Sequence, residues 1–82
     1  MKTEEKILLI DWIDSSSTSG WQSRSECKIC ICTCKTVGFL VDESKDFICV
    51  ALNKTTTETH QPYGDLITIP KIAIKKIIRI LK

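Results

Sequence analysis

Lys6-Ile7-Leu8-Leu9-Ile10-Asp11-Trp12-Ile13-Asp14 is the stretch on which the fold turns. Its apolar residues fall on both faces of an extended chain, as in a strand buried on two sides. The rest of the sequence carries the same bias. Thirteen of the 82 residues are isoleucine, three are valine and nine are threonine, against two alanines. Such β-branched side chains are stiff at χ1 and pack well on a pleated surface.

Outward from this strand, Ser15-Ser16-Ser17-Thr18-Ser19-Gly20 is a polar, turn-forming stretch, continued by Trp21–Glu26 with room for one helical turn. Residues 29–41 resume the strand pattern, with Cys30, Cys32 and Cys34 on one side and Ile29, Ile31 and Thr33 on the other. Gly38 marks a bend or bulge within it. Asp42-Glu43-Ser44-Lys45-Asp46 reads as a tight hairpin loop and Phe47–Leu52 as the returning strand. Asn53–Gly64 is a polar connection, Leu66–Ile69 a short strand, and Pro70 its end, because proline cannot donate to a ladder. The tail, 70–82, fits two patterns. As a helix it lines up Lys71, Lys75, Arg79 and Lys82 behind Pro70. As a strand, Lys76–Lys82 is short and rich in isoleucine, a residue that lowers helix propensity. The whole predicts one antiparallel β domain of about five strands over residues 1–82, with hairpin connections and no internal repeat.

Three pieces carry a resemblance: Asp11-Trp12-Ile13-Asp14 with Gly20-Trp21; Thr36-Val37-Gly38-Phe39-Leu40-Val41; and Gly64-Asp65-Leu66-Ile67-Thr68-Ile69-Pro70-Lys71 with Ile74, Ile77, Ile80 and Leu81. The chain resembles short bacteriophage and prophage proteins with a small SH3-like, or Sm-like, β-barrel. The resemblance runs over residues 10–81 and is structural in character. It implies a five-stranded antiparallel barrel in which Ile67, Ile69 and Pro70 close a fourth strand, a single 3₁₀ turn follows, and Ile74 and Ile77 open a fifth. It transfers no activity.

Size and charge bound the function. A chain of 82 residues buries only about 60% of the surface it exposes when unfolded, which leaves no room for separate cofactor and substrate lobes. Net charge is only +2, but residues 70–82 hold five bases and no acid, whereas residues 1–69 carry −3. No apolar run approaches the ~20 residues of a membrane span, and no secretory leader is visible. An odd set of cysteines (Cys27, Cys30, Cys32, Cys34 and Cys49) argues against a closed disulfide framework. These features predict a cytoplasmic protein.

Cys27-Lys28-Ile29-Cys30-Ile31-Cys32-Thr33-Cys34 is the sharpest local feature. Structural zinc usually takes two separated ligand pairs on turns. On an extended strand, same-face neighbours stand about 6.5–7 Å apart, too far to share one ion without bending. These cysteines therefore read as small apolar residues lining a sheet face, with Cys49 on the partner strand, and no metal ligands are assigned. His60, alone in a polar loop, reads as solvent-exposed. Trp12 reads as a cap on the core. Trp21 is left open between core and a stacking platform for a planar ligand. Asp11 and Asp14 face opposite sides of their strand and cannot act as a catalytic pair; Asp14 caps the following turn. No catalytic constellation assembles, so an enzyme is not expected, and no cofactor is implied.

The expectation is a non-enzymatic, phage-type binding module. It would be a homo-oligomer formed through unpaired strand edges, holding a nucleotide-type small molecule or a nucleic acid. The residues predicted to meet that anion are Trp21, Arg24, Lys71, Lys75, Lys76 and Arg79. Two other readings remain: a module that inhibits or adapts a host protein through an edge strand, and a zinc-stabilised structural domain.

Overall fold

The computed structural model describes residues 5–17, 19–27 and 29–81. Segments rich in apolar and β-branched residues form five strands: β1 Ile7–Asp14, β2 Cys32–Glu43, β3 Phe47–Lys54, β4 Tyr63–Pro70 and β5 Ile74–Leu81. All neighbours pair antiparallel in one sheet of order β4-β3-β2-β1-β5. The first four strands form a meander, and the fifth returns to pair with the first. The described residues include no α-helix, only 3₁₀ turns at Arg24–Glu26 and Lys71–Ala73. The tail therefore takes the strand arrangement, with a 3₁₀ turn directly after Pro70.

The core explains how a single sheet buries its apolar face. Leu8 and Ile10 of β1, Ile48 and Val50 of β3, and Ile69 of β4 form one buried cluster. Trp12, Leu40, Ile67 and Ile74 pack around it. β1 and β4 are separated by two strands in the sheet order, yet Ile10 and Ile69, both 0% exposed, belong to the same cluster. The sheet must curl to bring them together. β4 and β5 are joined by the 3₁₀ turn but share no ladder, so the sheet is not closed.

Gly38 is where β3 comes close against β2. It stands opposite Leu8, and a Cβ added there would lie 2.7 Å from the Ala51 carbonyl oxygen and 3.1 Å from the Val50 Cβ. Only glycine lets β3 approach this closely. The bulge in β2 lies not at Gly38 but between Leu40 and Asp42, leaving Val41 as the extra residue.

The boundaries also differ at three places. β2 enters the ladder at Cys32 rather than residue 29, and it runs through Glu43, which leaves only Ser44–Asp46 for the hairpin turn. There the Ser44 hydroxyl accepts the amides of Asp46 and Phe47. The connection after β3 is confined to 55–62, because Asn53 and Lys54 pair with Gly64 and Tyr63. Asp65 makes the β4 end possible. It takes a left-handed backbone (φ 57°), a conformation that aspartate tolerates better than most residues, and its carboxylate accepts the Asn53 side-chain amide at 3.0 Å.

Candidate functional site

β1 and β2 continue beyond the body of the sheet as a two-stranded ribbon. β3 pairs with β2 only from Phe39 onward, whereas β1 pairs with it down to Cys32. Past the ladder the same register persists, with the Ser16 hydroxyl donating to the Cys30 carbonyl at 2.9 Å. Every described residue of 15–31 is exposed. The arm holds itself together locally. At its 3₁₀ turn the Glu26 carboxylate accepts the Ser23 amide at 2.9 Å and the Ser23 hydroxyl at 2.8 Å. Those two bonds, the amide first, hold the Glu26 carboxyl below its ordinary range. The protein is consequently long, 60 × 24 × 21 Å, with a radius of gyration of 16.6 Å, against about 12 Å for a compact chain of this length.

At the base of the arm lies a half-open cavity of about 360 Å³ lined by Asp11, Trp12, Thr33, Cys34, Lys35 and Lys75. Strand register sets its charges. Asp11 pairs with Lys35 on one side and with Lys76 on the other, so the three side chains form a row across β2, β1 and β5. Lys35 Nζ sits 2.6 Å from Asp11 Oδ1. Lys75 joins them because β5 bulges there: Lys76 opposes Asp11 and Ile74 opposes Trp12, which leaves Lys75 unpaired in the ladder. Such an extra residue re-aims a side chain.

Three lysines thus surround one carboxylate. The Lys35 hydrogen bond, with added attraction from Lys35, Lys75 and Lys76, holds the Asp11 carboxyl below its ordinary value against the opposing effect of partial desolvation. Trp12 also lines the cavity, on the face of β1 opposite to Asp11. It is half-buried against the core, and its indole Nε1 donates to Thr36 Oγ1 at 2.9 Å. The Asp14 carboxylate accepts the Ser15 amide at 2.8 Å, a bond to the adjacent residue rather than the turn cap expected of it.

The sequence-predicted anion residues do not gather as a group. Lys75 lines the cavity and Lys76 adjoins it. Arg79 stands opposite Leu8, three residues further along β5. Lys71 lies on the 3₁₀ turn in an ion pair with Glu43 at 2.7 Å. Trp21, fully exposed, and Arg24 belong to the arm. Lys82 lies outside the described residues. Sequence reasoning missed Lys35 and gave Asp11 and Trp12 no ligand role. The β1–β2 register would have found them, since it places Lys35 opposite Asp11.

The described cysteines are all free. Contrary to the spacing argument, Cys32 Sγ and Cys34 Sγ are 3.7 Å apart. Cα atoms two residues apart on a strand are held by the backbone, but the side chains lean toward each other. Partial burial raises the Cys34 thiol above its ordinary range, and the Cys32 thiol and the Asp14 charge push the same way. Among the described residues, no three cysteine, histidine or carboxylate side chains come together in a metal-binding group. His60 is exposed beside Glu58 and Thr59. Among the described residues no helix is long and apolar enough to cross a membrane. Compared with known protein families, curated proteins and solved structures, the chain matches none.

Proposed function

We propose that this protein is a non-catalytic binding module that holds an anionic, partly planar ligand of nucleotide type at the base of its arm. The observation that carries the reading is the cavity beside Trp12, where Lys35, Lys75 and the adjoining Lys76 face a single carboxylate, Asp11. The lysines outnumber the acid by two, which leaves positive charge for a phosphate. Trp12 is the aromatic residue of that lining, and a base would stack on it. Asp11 holds Lys35 in place until a ligand phosphate competes for it.

The curled sheet is read as an SH3-like barrel of phage type, acting in the cytoplasm as a homo-oligomer. Two features support the last point. β4 and β5 each have a pairing partner on one side only, and they carry the exposed side chains of Leu66, Ile77, Ile78 and Ile80. A second copy would cover such edges.

Native mass spectrometry of protein purified from cells tests both parts, because copy number and a retained ligand mass appear in one spectrum. A thermal-shift panel of nucleotides should then raise the melting temperature of the wild type but not of Lys35→Glu. A panel that shifts neither overturns the ligand reading.

One observation favours a second reading, a protein-interaction module. Trp21 and Ile29 on the arm are fully exposed, and large aromatic side chains are preferred anchors at protein interfaces. Pull-down of one stoichiometric protein, lost in Trp21→Ala, would favour it.

A further inference from the structure

We propose that Cys32 and Cys34 form a solvent-open dithiolate site for a thiophilic divalent metal ion of the zinc–cadmium class. Cys34 also lines the anion cavity, but the metal site uses its sulfur and not the cavity's lysines. It begins with the bite of the pair. Their sulfurs stand 3.7 Å apart. Two sulfurs bound to one tetrahedral ion at the usual ~2.3 Å zinc–sulfur distance stand about 3.8 Å apart. The pair is thus spaced to chelate one ion with almost no movement. A disulfide is a poorer fit. It requires sulfurs at about 2.0 Å, and the Cα atoms of strand residues i and i+2 lie at the upper limit of its span.

The fold accounts for this spacing. Residues 32–38 of β2 pair with β1 but not with β3. Cys34 thus lies on a strand edge, opposite Trp12 where β1 still pairs with β5, and Cys32 lies just beyond, where only β1 and β2 continue; a two-stranded ribbon twists more than a strand inside a sheet, so the two same-face side chains can converge at this junction. Cys32 is exposed and Cys34 half-buried, which leaves the site open to an arriving ion. Asp14 stands opposite Cys32 in register.

Soft thiolate ligands select ions of this class over magnesium or calcium. On binding, each thiol gives its proton to solvent as its sulfur bonds the ion, so the ion replaces two protons. The remaining coordination positions stay with water. With two protein ligands the site is open, unlike a closed four-ligand structural site.

The test is a titration of the fully reduced, full-length protein with Cd(II) under anaerobic conditions, read by the thiolate-to-cadmium charge-transfer band and repeated with Zn(II) in competition. The expected result is one ion per chain. Cys32→Ser and Cys34→Ser should each weaken binding by more than ~100-fold, beyond what loss of an outer-shell partner costs. Cys27→Ser and Cys49→Ser should bind like the wild type. Circular dichroism checks the metal-free variants. Because Cys32 is exposed, its variant gives the answer even where replacement of Cys34 disturbs folding. Absence of saturable binding overturns the proposal, and so does loss of affinity in Cys27→Ser or Cys49→Ser equal to that in Cys32→Ser.

Discussion

Gly38→Ala is the smallest change that tests how the sheet curls. The added Cβ would fall 2.7 Å from the Ala51 carbonyl oxygen, 3.1 Å from the Val50 Cβ and 3.2 Å from its Cγ2. The first contact is with backbone. Ala51 is buried and paired with both Phe39 and Leu66, so its carbonyl cannot retreat without disturbing two ladders. Overpacking of this kind costs about 1–3 kcal/mol. Replacing glycine also restricts the unfolded chain, which offsets about 0.4–1 kcal/mol. The net expectation is a loss of ~1–2 kcal/mol, or a fall in melting temperature of about 5–15 °C for a domain of this size. Urea denaturation followed by tryptophan fluorescence, with a thermal melt by circular dichroism, measures both. Val50→Ala removes Cγ2, one of the side-chain clashes, but not the backbone contact, so it should recover part of the loss when combined with Gly38→Ala. An alanine variant as stable as the wild type would refute the close approach of β2 and β3.

Three further outcomes follow from burial and charge. Ile10→Ala, at a fully buried position in the cluster shared by β1, β3 and β4, should cost about 2–5 kcal/mol in urea denaturation; a cost below that range would place the core elsewhere. Trp21→Ala should change stability by less than about 0.5 kcal/mol, because the side chain is fully exposed; a large loss would mean that the arm packs on the body. The Asp11 carboxyl should titrate below 3.8 in the folded protein, followed by carbon NMR of the side chain, and should return toward its ordinary value in Lys35→Met. Since the folded value is the lower one, the stability linked to Asp11 is present above its unfolded pKa of about 3.9 and is lost as pH falls through the folded value. An Asp11 titration unmoved by Lys35→Met would contradict the ion pair.

The strands were readable because Ile7–Ile13, Phe47–Leu52 and Leu66–Ile69 declare themselves through β-branched and apolar side chains. The ends of β3 and β4 were not, because Asn53, Lys54, Tyr63 and Gly64 pair across the sheet despite polar or turn-prone identities. Their pairing is a tertiary fact that local propensity does not carry. The tail stayed divided between helix and strand on pattern alone, and the packing of Ile74 on the core, with the β1–β5 ladder, decides it. The site was legible only in part. A basic C-terminal stretch pointed to Lys75 and Lys76, but the bulge that re-aims Lys75 has no signature in Ile74-Lys75-Lys76-Ile77. Lys35 and Asp11 lie 24 positions apart in the chain and meet only through the β1–β2 register. The sulfur separation escaped the spacing argument because strand rise sets Cα distances, whereas ribbon twist and side-chain torsions set where sulfurs meet.

Titration calorimetry at the arm base tests the central claim most directly. Nucleoside phosphates, a cyclic dinucleotide and a short single-stranded oligonucleotide would be titrated at low and high salt into the wild type and into a Lys35→Glu, Lys75→Glu double variant. The account predicts saturable binding of at least one nucleotide, weakened by salt and abolished in the double variant. Binding that survives the double variant, or no binding by any of these ligands, would contradict it.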